Sequence, residues 1–364
     1  MSRSHAIFAV LVAACTSLSA AAKEQSPGGL LAASVGNEVV LIDPSSGASV
    51  RMVTGPVGWL FPGPGGVLFA PDVINGRTTV IDLRTQTVVE RLDGLSMPHF
   101  GETPDRYVAV AGEVMLVSYP ERAVMARIPA TIAHPWQVLI APDDAAMLVL
   151  ERLPDRSTGI HITTVNLITR QVVYRRPLSG DIVHMALSPR LGLLALADVD
   201  SDRVRLVEPS TLMPVADLPT PGPPRDLTFV DDGTIMATAV ESDDGSGALH
   251  LARFKQGKNG LKVDKEHIIE LAVTPLRLDR SPDAEQIAVA LSDGTVQIVG
   301  VDQRKIIRTL QLAGAPRDLR WCDPSREGPV VPDWSDDESP TLDLGGFETK
   351  ISDDAGSGFH PPEP

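Results

Sequence analysis

The chain has 364 residues, of which 43% are apolar and 4% aromatic, and its formal net charge is −15. This length and apolar share allow one or two domains with a large core, built mostly from aliphatic side chains. The acidic balance argues against a nucleic-acid partner, which requires a basic face. The two cysteines, Cys15 and Cys322, exclude a disulfide framework and a CxxC metal site.

The N-terminus has the order of an export signal. A basic start precedes an apolar run over residues 6–14, and three alanines stand before Lys23, so we predict a signal peptide over residues 1–22. Two processing routes stay open: acylation of Cys15, which ends a lipobox-like stretch, or ordinary cleavage within residues 19–22. Either route predicts a periplasmic, envelope-anchored or secreted protein, attached to a membrane only through a lipid.

Short β-type runs separated by tight turns repeat along the chain. The clearest copy spans residues 275–312, where turns near Ser281, Ser292 and Asp302 separate four runs. This pattern predicts one four-stranded antiparallel meander. Turns equivalent to the one at Ser281 recur at intervals of about 40 to 50 residues, which is the period of a propeller blade. These turns are Gly63–Gly65, Thr103–Asp105, Ala141–Asp143, Ser188–Arg190 and Val230–Gly233.

The first and last parts of the repeat region complete each other. The first blade has three predicted strands at the N-terminus, beginning with Leu30–Ser34, and lacks an innermost strand. Pro316–Trp321 near the C-terminus matches Pro224–Phe229 at the head of the sixth blade. We therefore predict that Pro316–Trp321 pairs into the first blade and closes the ring, because an open end would expose unpaired backbone groups.

Over about residues 29–321 the chain resembles the YVTN and WD-repeat type of seven-bladed propeller. The matching features are Pro-led inner strands, Ser-Pro-Asp turns such as Ser281–Asp283, and Ile-Asp-x-x-Thr hairpins such as Ile81–Thr85. No Trp-Asp pair or Tyr-Val-Thr-Asn stretch is present, and the third and sixth blades are irregular. The resemblance implies an all-β, seven-bladed β-propeller of four-stranded antiparallel blades over residues 28–322. Related propellers include lactone-hydrolysing and quinone-associated enzymes, but no full catalytic set of either maps onto this chain.

The last segment, residues 323–364, differs from the rest in composition. It contains eleven acidic residues against Arg326 and Lys350, and it is rich in Pro, Ser and Gly. This composition predicts an acidic, disordered tail, although the more apolar Thr341–Phe347 leaves docking on the propeller open. Polar insertions at Glu151–Gly159 and Glu241–Gly247 lengthen two blade loops, which are either solvated hairpins or specificity loops.

The candidate site is the central channel, because the innermost strands of a propeller converge there. Counting four residues back from each turn gives a row of mostly polar side chains that could bind an anionic or polar ligand. A shift of one residue would turn the neighbouring row inward, and a water-filled channel without a ligand is the alternative. The predicted row consists of Trp59, His99, Gln137, His184, Asp226, Arg277 and Asp318.

Other chemical motifs are weak or missing. Asp198, Asp200 and Asp202 are spaced like the start of a calcium loop, but Arg203 replaces its glycine and Pro209 its glutamate. The sequence has no nucleophile elbow and no phosphate-binding loop, so we expect no catalytic residue, metal or cofactor. The favoured hypothesis is a scaffold that binds a protein or envelope polymer. The second is an extracytoplasmic propeller enzyme of lactonase or quinoprotein type, with its site at the channel.

Overall fold

The computed structural model describes residues 29–328, except 73, 94–96, 111, 133–134, 153–158, 189, 232 and 259. These residues form seven antiparallel sheets arranged as the blades of a ring, as the sequence predicts. The predicted signal peptide, Cys15 and most of the acidic tail lie outside the described residues. In the part that the structure describes, no helix has the length and apolar character needed to cross a bilayer.

The chain builds the blades in order, and every blade but the first starts at its innermost strand and continues outward. The strands of the first three blades are β1 (Leu30–Val35), β2 (Glu38–Ile42), β3 (Ser49–Val53), β4 (Phe61–Gly63), β5 (Val67–Asp72), β6 (Arg77–Asp82), β7 (Thr87–Asp93), β8 (Arg106–Val110), β9 (Gly112–Ser118) and β10 (Val124–Ile132). Those of the fourth and fifth are β11 (Pro135–Ile140), β12 (Ala146–Arg152), β13 (Ile160–Asn166), β14 (Gln171–Leu178), β15 (Ile182–Ser188), β16 (Leu193–Asp198), β17 (Arg203–Val207) and β18 (Pro214–Pro219). Those of the sixth, the seventh and the closing segment are β19 (Pro224–Val230), β20 (Ile235–Glu241), β21 (Gly247–Gly257), β22 (Gly260–Leu271), β23 (Pro275–Arg280), β24 (Gln286–Leu291), β25 (Thr295–Gly300), β26 (Lys305–Gln311) and β27 (Asp318–Cys322).

The predicted closure of the ring is confirmed. Strand β27 pairs with β1 and becomes the innermost strand of the first blade, in the order β27-β1-β2-β3. Leu30 lies directly opposite Cys322 in this pair. Just before it, Gly29 has a φ of 80°, and a Cβ atom there would lie 2.6 Å from the carbonyl oxygen of Cys322. Glycine lets the two ends of the propeller approach each other this closely.

The core lies between the blades. Each pair of neighbouring blades encloses an apolar cluster, so both faces of an inner strand are buried. In β24, Ile287 and Val289 face the sixth blade, whereas Ala288 and Ala290 face the first. Burial on both faces explains why these strands are continuous apolar runs, because an alternating pattern would expose one face to water.

The third blade is irregular, as the sequence predicts. It has three strands, β8 to β10. In place of a full innermost strand, His99 forms a single antiparallel bridge with Val108, and each residue donates its backbone N–H to the other's carbonyl at 2.9 Å. Among the described residues, this bridge is therefore the backbone pair that lines the channel at the third blade.

The meander topology gives the ring two distinct faces. The innermost strands begin at one face, here called the upper face, and end at the other, the lower face. The lower face carries the turns between first and second strands and those between third and fourth strands. The tip of the β21–β22 hairpin at Gly257–Gly260 therefore lies on the lower face. The predicted insertion at Glu241–Gly247 is in a loop on the upper face, whereas most of the one at Glu151–Gly159 lies outside the described residues.

Candidate functional site: the central channel and the lysine rim

A recurring β-bulge shapes the channel wall. In β11, β15, β19 and β23, the pairing with the second strand skips one residue: Trp136, Val183, Arg225 and Leu276 respectively. The residue after each bulge is the one predicted from the turn spacing. Because a bulge bends and twists its strand locally, it re-aims the following side chain.

Three predicted residues form one chain of contacts across the fourth, fifth and sixth blades. The Nε2 atoms of Gln137 and His184 lie 3.1 Å apart, and His184 Nε2 lies 3.1 Å from an Asp226 carboxylate oxygen. The Gln137 amide also accepts from the backbone N–H of Met185 and donates to its carbonyl, both at 2.8 Å. Gln137 and His184 thus each fasten their own blade to the next one.

Three carboxylates make similar bonds between neighbouring blades further around the ring, and such an inter-blade bond is here called a brace. Asp226 accepts from the backbone N–H of Leu278 in the seventh blade at 3.0 Å, and Asp318 accepts from that of Leu60 in the second blade at 2.8 Å. Asp279 accepts from the N–H of Trp321 in the closing strand at 2.8 Å. A buried backbone donor needs an acceptor, and here the neighbouring blade supplies it.

Charge in the channel concentrates around Arg320, whose Nε donates to Asp318 at 3.2 Å. Burial would lower the pKa of Arg320, but Asp318, Asp279 and Asp226 together raise it above its ordinary value. Burial raises the pKa of Asp279 to about 6, against the opposing effects of Arg320 and two backbone donors. Asp279 and Arg320 thus add a carboxyl group and a guanidinium to the channel wall.

Both channel histidines favour the neutral form. Burial, with a smaller effect of the Arg320 charge, lowers the pKa of His99 to about 3. Burial also lowers the pKa of His184, although the Asp226 carboxylate opposes this shift. In the part of the chain that the structure describes, His184 Nδ1 and Asp318 Oδ1 are buried without a hydrogen-bond partner.

The remaining predicted residues are Trp59, His99 and Arg277. Trp59 is half-buried just before β4, and the ring of His99 packs edge-on against Phe61, with 5.1 Å between centroids. The Arg277 guanidinium donates to the carbonyl of the adjacent Leu276 at 2.8 Å. The structure therefore joins Gln137, His184 and Asp226 directly. A ligand role for any of the seven residues stays a prediction.

Asp279 and Arg320 are not among the residues that the turn spacing predicts. Each lies two residues beyond a predicted position, Arg277 or Asp318, and alternate residues of a strand share a face. The sequence signal was present as Arg-Leu-Asp and Asp-Leu-Arg, two charges of opposite sign separated by one apolar residue. Extending the predicted row by one strand period would have included both.

The candidate calcium loop is an ion-paired turn. Residues Val199–Ser201 form one turn of 3₁₀-helix after β16. The preceding Asp198 is buried, and its carboxylate lies 2.7 Å from the Arg205 guanidinium and 3.8 Å from that of Arg203. Within residues 29–328, excluding the gaps given above, no group of three or more His, Cys, Asp or Glu is arranged to hold a metal ion.

A second candidate surface, the lysine rim, lies at the edge of the lower face. It consists of every lysine among the described residues, all exposed: Lys255, Lys258, Lys262, Lys265 and Lys305. The first four lie on the β21–β22 hairpin, whose strands of 11 and 12 residues are the longest in the ring. His267 Nε2 lies 3.1 Å from the Arg304 carbonyl and so joins this hairpin to the turn that precedes Lys305.

The tip of that hairpin carries like charges in direct opposition. Lys255 pairs across the strands with Lys262, and residues 254–263 contain no acid. Strand β20 pairs with β21 only as far as Arg253, so the tip extends beyond the sheet. Like charges directly opposite each other destabilise a strand pair. This arrangement costs stability and gives the acidic protein one projecting cationic element.

Comparisons with known proteins identify the fold. No protein-family model and no curated protein sequence matches the chain. A functionally unknown protein from Desulfotomaculum acetoxidans DSM 771 matches with a TM-score of 0.62 and 11% identity, over 81% of this chain and 99% of that one. A candidate 6-phosphogluconolactonase from Bacteroides fragilis NCTC 9343 matches with a TM-score of 0.60 and 12% identity, over 82% and 99% of the two chains. Hydrazine synthase from Kuenenia stuttgartiensis matches with a TM-score of 0.54 and 16% identity, over 68% and 77%.

Proposed function

We propose that the chain is an extracytoplasmic β-propeller of the YVTN or WD-repeat type that acts as a binding scaffold. Its partner is an anionic segment of a protein or of an envelope polymer. The observation that carries the proposal is the lysine rim. A cationic tip that projects from an acidic body offers a partner contacts of opposite charge while the body repels it, and this favours one orientation.

The channel residues support a non-enzymatic role. The Asp226, Asp318 and Asp279 carboxylates accept hydrogen bonds from the neighbouring blade. A general base needs a geometry that lets it reach a substrate proton, and these carboxylates are occupied in holding the ring together. The export signal predicted over residues 1–22 supports an extracytoplasmic location, with either a lipid on Cys15 or plain secretion.

Binding to a defined polyanion tests the role of the rim. We expect the full chain to bind polyglutamate or dextran sulfate with an affinity that falls as salt is added, because counterions screen the contact. Lys255→Glu combined with Lys262→Glu should reduce binding at least tenfold. The matched control is Arg51→Glu with Arg77→Glu, which makes the same change in charge on the first and second blades and should leave binding nearly unchanged.

The two probes also separate the possible partners. Preference for polyglutamate indicates an acidic protein segment, and preference for dextran sulfate indicates an anionic polymer. Equal loss of binding in the rim variant and the control would contradict a specific rim. Separately, Cys15→Ser should release the protein from the membrane fraction if the lipid anchor is used, and unchanged fractionation would rule out the lipoprotein route.

A channel enzyme of lactonase or quinoprotein type is the second candidate. It is favoured by the free His184 Nδ1 and Asp318 Oδ1 atoms and by the shifted pKa values of His99 and Asp279. The name of the Bacteroides fragilis structure suggests 6-phosphogluconolactone as a test substrate for a lactonase. Lactone hydrolysis by the wild type that His184→Asn abolishes would favour the enzyme over the scaffold. Absence of hydrolysis would count against a lactonase that acts on this substrate.

A further inference from the structure

A cavity of about 270 Å³ lies between the third and fourth blades. It extends along the region where the third blade has only the His99 bridge in place of an innermost strand. Leu116, Met125 and Ile168 contribute to its apolar wall. Met125 is 52% exposed and Ile168 74% exposed, so large apolar side chains border the opening. Such a wall is suited to an apolar side chain with a charged neighbour.

The charges around the cavity are predominantly basic. The guanidinium groups of Arg106 and Arg170 border it together with the Asp144 carboxylate. That carboxylate already accepts from the backbone N–H groups of Glu102 at 2.9 Å and Thr103 at 2.6 Å. Neither arginine forms a salt bridge with a residue that the structure describes, and Arg106 has only a 3.5 Å contact with the Thr103 hydroxyl. The cavity therefore favours an acidic occupant.

The segment after the closing strand leads toward this cavity. Strand β27 ends at the lower face, and the chain then passes over the second blade, where Gly65 donates its N–H to the Arg326 carbonyl at 3.0 Å. The Arg326 guanidinium donates to the carbonyl of Gly101 at 2.7 Å, and Gly101 lines the cavity. Gly328 packs so closely on the second blade that a Cβ atom there would lie 2.4 Å from the Gly65 nitrogen.

We propose that the acidic segment Val330–Glu338 of the same chain occupies the cavity. Its sequence, Val-Val-Pro-Asp-Trp-Ser-Asp-Asp-Glu, combines one large aromatic side chain with four carboxylates. The indole of Trp334 covers the apolar wall, and the flanking carboxylates face Arg106 and Arg170. The six residues from Gly328 to Trp334 can span about 20 Å, and the Arg326 contact already reaches the rim of the cavity.

The fluorescence of Trp334 in the full chain tests this proposal. Its emission is obtained as the difference between the wild type and the Trp334→Phe variant. We expect emission shifted to the blue, with acrylamide quenching several-fold weaker than for a free peptide of residues 329–340. Ile168→Asp, which places a carboxylate at the apolar edge, should bring quenching close to that of the free peptide. Ile74→Asp is the matched control, since Ile74 is similarly exposed, at 76%, on the upper face, and it should change nothing.

Three outcomes would overturn the proposal. The first is quenching of Trp334 in the wild type equal to that of the free peptide. The second is protection that Ile168→Asp leaves unchanged, because the indole would then lie elsewhere. The third is protection that disappears on dilution, which would indicate a second copy of the chain as the occupant. Should Ile168→Asp fail to fold by near-ultraviolet circular dichroism, Arg170→Glu replaces it, with Arg77→Glu as its control. The test does not involve the lysine rim, so its result is independent of the proposed function.

Discussion

The blade junctions of this ring are held together in two different ways. Five junctions, from the fourth blade through the seventh and first to the second, have a polar side chain of one innermost strand bonded to the next innermost strand. The contacts seen at the two junctions of the third blade are of other kinds. The difference indicates that the polar channel residues of this propeller mainly bond neighbouring blades to each other. Where such residues are present, they show how the two blades are joined.

Other contacts hold the third blade. Toward the second blade, the rings of Phe69, Phe100 and Tyr119 pack with centroids 5.3 to 6.2 Å apart. Near the outer strands, the buried Arg122 guanidinium donates to the Glu90 carboxylate, with one bond of 2.8 Å. Toward the fourth blade, the Asp144 carboxylate binds two backbone N–H groups. The third blade thus relies on aromatic packing, one buried ion pair and the Asp144 carboxylate, whereas the other junctions use channel side chains.

The largest effect is expected when the closing strand is lost. Deletion of Pro316–Trp321 should abolish cooperative unfolding, because it exposes the edge of β1 and removes the braces at Asp318 and Trp321. Circular dichroism and a thermal scan measure this. Deletion within residues 256–259, at the projecting hairpin tip, is the control and should leave the melting temperature nearly unchanged. A closing-strand deletion that still melts cooperatively would contradict the closure role.

Removal of the ion pair should weaken the third blade next most strongly. Glu90→Ala should lower the free energy of unfolding by about 3–5 kcal/mol, because it leaves a buried guanidinium without its carboxylate. Denaturant unfolding measures the loss. Glu90→Leu combined with Arg122→Met should recover most of it, since neither charge then remains buried. A loss below about 1 kcal/mol in Glu90→Ala would show that the pair does not hold the junction.

A single brace should matter more than its counterpart in the third blade. Asp226→Ala leaves the Leu278 N–H without its acceptor and should cost about 2–3 kcal/mol. His99→Ala, at the corresponding position, removes only ring packing on Phe61 and should cost about 1 kcal/mol. Asp226→Asn keeps an acceptor oxygen and should fall between them. Equal losses for Asp226→Ala and His99→Ala would remove the distinction between the two kinds of junction.

The contributions of Asp279 and His99 to folding stability should change with pH in opposite directions. The folded-state pKa of Asp279 is about 6, above its ordinary value of 3.8, so the folded state binds the proton more tightly. The contribution of Asp279 to the free energy of unfolding therefore falls as pH rises from about 4 to 6. His99 has a folded-state pKa of about 3, below its ordinary 6.5, so its contribution rises with pH from about 3 to 6.5.

Two variants measure these contributions separately. Relative to the wild type, Asp279→Asn should gain about 1–2 kcal/mol between pH 4 and 6, because it keeps an acceptor but does not titrate. His99→Phe should lose stability relative to the wild type over the same interval. Unfolding curves at several pH values provide the measurement. A difference between Asp279→Asn and the wild type that does not change with pH would contradict the raised pKa.

The sequence predicted much of this architecture because the relevant signals are local. The turn at Ser281 and its equivalents recur at a regular interval, and the match between Pro316–Trp321 and Pro224–Phe229 identified the closing strand. The same turn spacing placed Gln137, His184 and Asp226 in one row, and the structure joins these three directly.

The remaining features depend on residues far apart in the chain. The bulges at Trp136 and Arg225 arise from pairing with a second strand, and composition does not record them. The Asp279 brace joins residues of two different blades, so no spacing within one copy could reveal it. Likewise, the sequence of Lys255–Gly260 shows only that this segment is polar and contains two glycines. Its projection beyond the sheet follows only from the point at which β20 stops pairing with β21.

Direct pairing of Leu30 with Cys322 in the first blade also determines how the propeller would be oriented if one end of the chain were attached to a surface. Gly29 and Asp323, which flank these two paired strands, therefore lie side by side at the lower face. A tether on either end would therefore turn the same side of the molecule toward the surface that holds it. The upper face, with its long loops, would point away from that surface, and the lysine rim would lie at the edge nearest to it.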